Sequence, residues 1–106
     1  SATITANGNT TGRQLGAVSA TQSVYASIHV WSVAGTSTPT LTAKIQSDDN
    51  SSFTSATDRI TMSSATAITS EYKSQAGAIT DDYWRVNWTV SGSSPIFKAI
   101  VSIGIA

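Results

Sequence analysis

The sequence predicts an all-β protein, an antiparallel β-sandwich of about seven or eight strands with a jelly-roll-like arrangement. Helix-forming residues are scarce, with one Glu, three Lys, two Leu and one Met in 106 residues, whereas Val, Ile and Thr are plentiful. Short segments of alternating polarity are separated by clusters of Gly, Pro and Ser. Because no helical pattern lies between these segments to provide crossovers, the strands are expected to pair in antiparallel fashion.

The first clear strand covers residues 24–33. Its apolar face holds Val24, Ala26, Ile28 and Val30, and its opposite face holds Tyr25, Ser27, His29 and Trp31. Residues 35–39, Gly-Thr-Ser-Thr-Pro, have the composition of a turn, and a second alternating segment covers residues 40–46. These two strands are therefore predicted to form a hairpin.

The second half of the chain contains the most regular strands. A polar loop over residues 47–55 has Phe53 as its only anchor to the core, and a short strand with Ile60 and Met62 pointing inward follows. The next clear strand has a core face formed by Trp84, Val86, Trp88 and Val90. After a second predicted hairpin turn at residues 91–95, the last strand alternates Phe97, Ala99, Val101, Ile103 and Ile105 with Ile96, Lys98, Ile100 and Ser102.

The chain is predicted to form one domain over residues 17–106, preceded by an N-terminal arm or first edge strand over residues 1–16. The first 16 residues contain three Gly, and Ile4 and Leu15 are their only larger apolar side chains. Arg13 is their only charged side chain. Such an arm would attach to a neighbouring sheet edge mainly through backbone hydrogen bonds, so Ile4, Arg13 and Leu15 are candidate interface residues.

Charge and composition exclude several classes of function. Six basic residues balance six acidic ones, and charged residues make up only 11% of the chain, so a basic groove for nucleic acid is excluded as its main feature. The absence of Cys removes disulfides and thiol nucleophiles, and a single His precludes a multi-histidine metal site. No stretch reaches the roughly 18 consecutive apolar residues of a membrane span. We expect no cofactor and no membrane partner.

The residues that could carry out catalysis are few. His29 is the only histidine, the side chain that most often acts as a general base at neutral pH, and the chain has no Gly-x-Ser-x-Gly nucleophile motif. A structural or interface role is therefore favoured over a hydrolytic one. The six acidic residues permit a calcium site or a glycosidase pair, but neither spacing is diagnostic; they are Asp48, Asp49, Asp58, Glu71, Asp81 and Asp82. Turn capping by these side chains is the favoured interpretation. The prediction is therefore that the protein is not an enzyme.

The aromatic residues suggest a surface for binding. If Val24 and its partners form the core face, then Tyr25, His29, Trp31 and Val33 line an outer surface of the same strand. A strand that is apolar on both sides needs a second cover, from a loop, a partner subunit or a ligand. Three Trp and three Tyr would also suit a sugar-stacking platform, although Trp84 and Trp88 lie on the predicted core face.

Three segments resemble a group of small viral proteins: residues 41–53 (LTAKIQSDDNSSF), 58–61 (DRIT) and 83–92 (YWRVNWTVSG). The chain resembles short β-sandwich virion proteins of tailed bacteriophages, of the head decoration or cement type. The resemblance implies a structural protein on the capsid surface, made in the host cytoplasm, without catalytic residues. It also implies two partners, the major capsid protein and copies of the chain itself as a trimer or dimer. A carbohydrate-binding module, as a tail or fibre component, is the alternative.

Overall fold

A computed structural model describes residues 2–106 and shows an all-β chain. The seven strands are β1 (Ala2–Ile4), β2 (Gly8–Asn9), β3 (Arg13–Gln14), β4 (Ser23–Asp48), β5 (Thr57–Thr61), β6 (Thr69–Ala76) and β7 (Tyr83–Ile105). Every strand pair is antiparallel, so the predicted all-β antiparallel class and the number of strands are confirmed. None of the described residues forms a helix that is long and apolar enough to cross a membrane.

Strands β4 and β7 form a long ribbon that organises the rest of the sheet. They pair from Val24 opposite Ile105 to Asp48 opposite Tyr83. In the first half of the ribbon, residues 24–34 and 96–105, the strand order is β1-β7-β4-β6. In the second half, β2 and β3 flank β7, and β5 flanks β4. The chain can be counted as eight segments if β2 and β3 are taken together as the second and if β4 and β7 are each divided into two halves, the third and fourth and the seventh and eighth. The strand orders are then 1-8-3-6 and 2-7-4-5, which is the strand order of a jelly roll.

The ribbon cannot be straight. A straight strand as long as β4, which has 26 residues, would extend about 85 Å, whereas the longest dimension of the protein is 43 Å. One cavity is lined by Trp84 and Val86 from the second half together with Val101 and Ile103 from the first half. Because these residues belong to the same strand, they can meet only if the ribbon folds back, and a two-layered sandwich is the arrangement that this contact favours.

The two predicted hairpins are wrong, because the turn-like segments bend the ribbon instead of ending it. Thr36 pairs with Ser93 on the other strand of the ribbon, and pairing resumes with Thr40 opposite Ser91. Residues 35–39 and 91–95 therefore lie opposite each other at the bend. Gly35 and Gly92 have φ angles of 120° and 106° in the bend, a backbone region that side chains disfavour. Turn chemistry thus marks the bend correctly but does not determine the pairing partner.

The predicted core faces are largely confirmed. Trp84, Val86 and Trp88 are buried, and Val90 is half-buried at the edge of the same row. The inward residues of residues 24–30 and of residues 41–45 join them in a single apolar cluster. Phe53 is buried, as predicted, but its ring lies against the Arg85 guanidinium and outside the main apolar cluster. Ile60 and Met62 point inward.

The N-terminal strands pair with the side of β7 that β4 does not occupy. Ile4 pairs with Phe97, and Arg13 pairs with Trp84. The indole N–H of Trp84 also donates to the carbonyl of Gly16 at 2.8 Å, which ties this segment to the core. Ile4 is only 4% exposed, so it is a core residue and is not available as a candidate interface residue. Residue 1 of the predicted segment lies outside the described residues.

Candidate interaction surface

The exposed side of the first half of the sheet carries most of the large apolar side chains that face solvent. Trp31 is 41% exposed, Tyr72 64% and Ile100 48%. We call this surface the outer face and define it by Tyr25, His29 and Trp31 of β4, Ser70 and Tyr72 of β6, and Ile96, Lys98 and Ile100 of β7. The strand register places these side chains on the side of the sheet opposite to Ile28 and Val30, which are buried.

Aromatic contacts give the outer face a defined shape. The rings of Tyr25 and Tyr72 stack across neighbouring strands, with centroids 6.0 Å apart and an angle of 24° between their planes. Lys98 places its Nζ 5.3 Å from the centroid of the Trp31 ring, within the range of a cation–π contact. These contacts hold the rings in place, and they leave Trp31 and Tyr72 exposed to solvent.

His29 belongs to the outer face and is exposed. Its Nδ1 lies 2.6 Å from Oγ of Ser70, the residue directly opposite on β6. A hydrolytic triad also requires an acid that orients the imidazole and donors that bind an oxyanion. Within residues 2–106 no carboxylate is hydrogen-bonded to His29. The contact that the structure shows is a cross-strand hydrogen bond on an open sheet face.

Val33 does not lie on the outer face, although the alternation that begins at Tyr25 predicts that it should. The register of β4 against β7 shifts between Val30 and Ser32, so Trp31 is the extra residue of a bulge. One extra residue reverses the facing of every later side chain. Val33 therefore pairs with Phe97 and packs against the core.

Arg13 and Leu15 lie at a different place, the open edge between the two halves of the sheet. Both line a cavity of about 430 Å³ that also touches Trp84 and Ile103. Leu15 is 44% exposed at this rim. Of the seven candidate interface residues, the structure brings Tyr25, His29 and Trp31 together on the outer face, and Arg13 and Leu15 together at this rim.

The acidic residues have structural partners. Asp48 is buried, and its carboxylate accepts the backbone N–H groups of Asp49 at 2.7 Å and Ser55 at 2.9 Å. The bond from Ser55 makes the largest contribution to lowering the pKa of Asp48, whereas hydrogen bonding to Asp48 and its charge raise the pKa of Asp49. Asp81 accepts the hydroxyl of Ser47 and the guanidinium of Arg59. Residues 2–106 contain no group of three or more His, Cys, Asp or Glu that could hold a metal ion.

The exposed side of the second half is polar, in contrast to the outer face. Gln46 donates to Asp58 at 2.8 Å and accepts the Arg85 guanidinium at 2.8 Å. Lys44 lies 3.4 Å from Asp58. The exposed apolar surface of the sheet is thus concentrated on one of its two halves, which is the pattern expected when one face is covered by a partner.

Several outer-face residues were not among the sequence candidates. Ile96 and Ile100 already stood on the outward side of the last predicted strand, so two outward isoleucines were a usable signal. Tyr72 lies in a stretch without clear periodicity, and no local pattern indicates that it stacks on Tyr25. That contact depends on β6 pairing with β4, a long-range event.

Comparison of the chain with protein-family models, curated proteins and solved structures finds no match. The function is therefore inferred from the chemistry of the outer face itself. Its exposed aromatic rings and apolar side chains are of the kind found in the cores of protein interfaces, where charged residues are depleted.

Proposed function

We propose that the protein is a structural virion subunit of the head decoration or cement type, which binds the assembled capsid shell and copies of itself. A protein of this kind stabilises the shell by mass action, because it binds the assembled lattice and not the free capsid protein. Binding of this kind requires a complementary surface and no reactive group.

The observation that carries the proposal is the exposed apolar surface on the outer face. Trp31, Tyr72, Ile96 and Ile100 are between 41% and 64% exposed. With about 150 to 200 Å² for each large side chain, they present roughly 350 Å² of apolar surface to solvent. Patches of this size are often functional on monomeric proteins, and aromatic side chains are enriched at the centres of protein interfaces.

The fold and the charge are compatible with this proposal. Jelly rolls occur in viral capsid proteins and in lectins, so the strand order alone does not choose between the proposed function and sugar binding. The formal net charge is zero, and most of the charged side chains lie away from the outer face. Recognition through this surface would therefore depend on shape and apolar contact, with little dependence on salt.

The test compares two substitutions of similarly exposed residues. Trp31→Ser removes the largest ring of the outer face. Leu15→Ser changes a residue that is 44% exposed and lies away from the outer face, at the rim of the cavity between the two halves of the sheet. Purified variants are added to capsids of the virus that encodes the chain, and bound copies are counted. Loss of a central aromatic anchor costs about 2 kcal/mol or more, which corresponds to roughly thirtyfold weaker binding. We expect the Leu15 variant to bind within about twofold of the parent.

The proposal would be refuted by purified virions that contain no copies of the chain, as measured by mass spectrometry. It would also fail if Trp31→Ser and Leu15→Ser bound equally well while both remained folded. In that case, the outer face would not be the binding surface.

A sugar-binding role is the second candidate, because of the surroundings of Tyr72. Its ring is 64% exposed and borders a shallow depression with His29, Ser70 and Glu71. An exposed aromatic ring next to hydrogen-bonding side chains is the arrangement that stacks and orients a sugar. Binding on a glycan array that Tyr72→Ala abolishes would support this role and would favour a tail or fibre location.

A further inference from the structure

Strand β6 (Thr69–Ala76) leaves one side unpaired. It pairs with β4 along all eight of its residues, and no strand among residues 2–106 pairs with its other side. An edge of this length is a template for another strand. What occupies it depends on which backbone groups point outward and on the charges along the strand.

The hydrogen-bond pattern shows which residues of β6 have free backbone groups. The N–H of Gly77 donates to the carbonyl of Gln22 at 2.9 Å, and Ser23 exchanges two backbone bonds with Ala106 on the other side of β4. Because hydrogen-bonded and non-hydrogen-bonded pairs alternate along an antiparallel ladder, the pairs of Ser70, Tyr72 and Ser74 with β4 are of the non-hydrogen-bonded kind. The N–H and carbonyl groups of these three residues therefore point to the open edge.

The charges along β6 select one register for a second copy of the same strand. When Tyr72 lies opposite Tyr72 of the copy, Glu71 lies opposite Lys73 twice. A shift of the copy by two residues in either direction also keeps paired side chains on the same face of the sheet. One such shift puts Glu71 opposite Glu71, and the other puts Lys73 opposite Lys73. Like charges directly opposite each other disfavour both alternatives.

We propose that two copies of the chain pair through β6, antiparallel, about a two-fold axis at Tyr72. Ser70, Tyr72 and Ser74 exchange backbone bonds with the same residues of the copy, and the two first halves become one sheet of eight strands. The two Tyr25–Tyr72 stacks then lie on one continuous outer face. This pairing specifies how the chain would bind copies of itself, which is one part of the proposed function, and it does not depend on binding to the capsid.

Single cysteines test the register directly, because the chain has no Cys of its own. At the two-fold axis, residue 72 faces itself with a Cα separation of about 5.5 Å, within the range of a disulfide. Residue 74 faces residue 70, so its two copies are about 14 to 15 Å apart. Under oxidation, Tyr72→Cys should give a dimer of twice the 11.0 kDa mass, and Ser74→Cys at least tenfold less of it.

Charge exchange provides a second test that does not depend on cysteine. Glu71→Lys alone and Lys73→Glu alone each place like charges opposite each other, so each variant should be monomeric in sedimentation. A one-to-one mixture restores two opposite-charge pairs and should form a mixed dimer. Circular dichroism of each variant checks that both remain folded, because Glu71 accepts the N–H of Ser63 and Lys73 donates to the carbonyl of Thr61.

Three outcomes would overturn the proposal. The parent chain could sediment as a monomer at about 100 μM, a concentration at which even a weak dimer is populated. Ser74→Cys could cross-link as readily as Tyr72→Cys. The two charge variants could each remain as dimeric as the parent. Virion binding plays no part in these measurements, so this inference and the proposed function can fail separately.

Discussion

Trp84 gives the most direct test of the core, because it is only 1% exposed and its indole N–H donates a hydrogen bond to the carbonyl of Gly16. Burying a Trp side chain removes about 200 Å² from water, which corresponds to about 5 kcal/mol before relaxation. Comparable truncations in protein cores cost about 3 to 5 kcal/mol. We therefore expect Trp84→Ala to lower the free energy of unfolding by about 3 to 5 kcal/mol, a large part of the roughly 5 to 15 kcal/mol typical of a domain.

The matched control is Trp31→Ala, since Trp31 is 41% exposed and its removal leaves no enclosed cavity. By the same conversion, its cost should be no more than about half that of Trp84→Ala. Trp84→Phe removes the N–H donated to Gly16 together with the five-membered ring of the indole, so it should cost more than the loss of a hydrogen bond, about 1 kcal/mol, and less than Trp84→Ala. Urea unfolding followed by circular dichroism measures all three variants. Equal costs for the two alanine variants, or a melting temperature of Trp84→Ala within a degree or two of the parent, would refute the assignment of faces.

Three further predictions concern the acid range, the N-terminal segment and the histidine. Hydrogen bonds from the hydroxyl and the N–H of Ser63 lower the pKa of Glu71, so its ionised form stabilises the fold above about pH 4.3 and this contribution is lost as the pH falls through the lowered pKa. Glu71→Gln should therefore lose less stability than the parent between about pH 5 and pH 2, as measured by melting temperature. Ile4→Ala should cost about 2 to 5 kcal/mol and Leu15→Ala less than about 1 kcal/mol, because Ile4 is 4% exposed and Leu15 44%; equal, small costs would mean that the segment is a detached arm. His29→Ala loses one exposed bond to Ser70, so its unfolding free energy should change by less than about 1 kcal/mol, and hydrolytic turnover that disappears in this variant would contradict the non-catalytic interpretation.

The sequence predicts the parts of this fold that depend on neighbouring residues. Alternation at two-residue spacing identifies Trp84, Val86 and Trp88 as core, because a strand with one buried face must alternate whatever its partner is. It also identifies Phe53 as the buried residue of its loop, since no other apolar side chain is near. These assignments need no knowledge of which strands meet.

The pairing itself depends on contacts far apart in sequence, and here the local patterns are insufficient. Residues 35–39 have the composition of a hairpin turn, yet the strands on either side of them pair with β7 and not with each other. A Gly with a positive φ permits a reversal and a bend equally well. The same holds for the N-terminal segment. Its three Gly and few apolar side chains give no local sign that Ile4 pairs with Phe97.

The composition of the outer face depends on one residue, and this links the fold to the proposed function. Without the bulge at Trp31, alternation would place Val33 on the outer face with Tyr25, His29 and Trp31. Val33 would then no longer face the core beside Phe97. With the bulge, Val33 closes the core beside Phe97, while the Trp31 ring stays outside against Lys98. The same part of the strand can therefore bury Val33 on one face of the sheet and present the Trp31 ring on the other. Bulges are often found where a sheet must redirect a side chain toward a binding site, and the position of this one next to the largest exposed ring supports a binding role for the outer face.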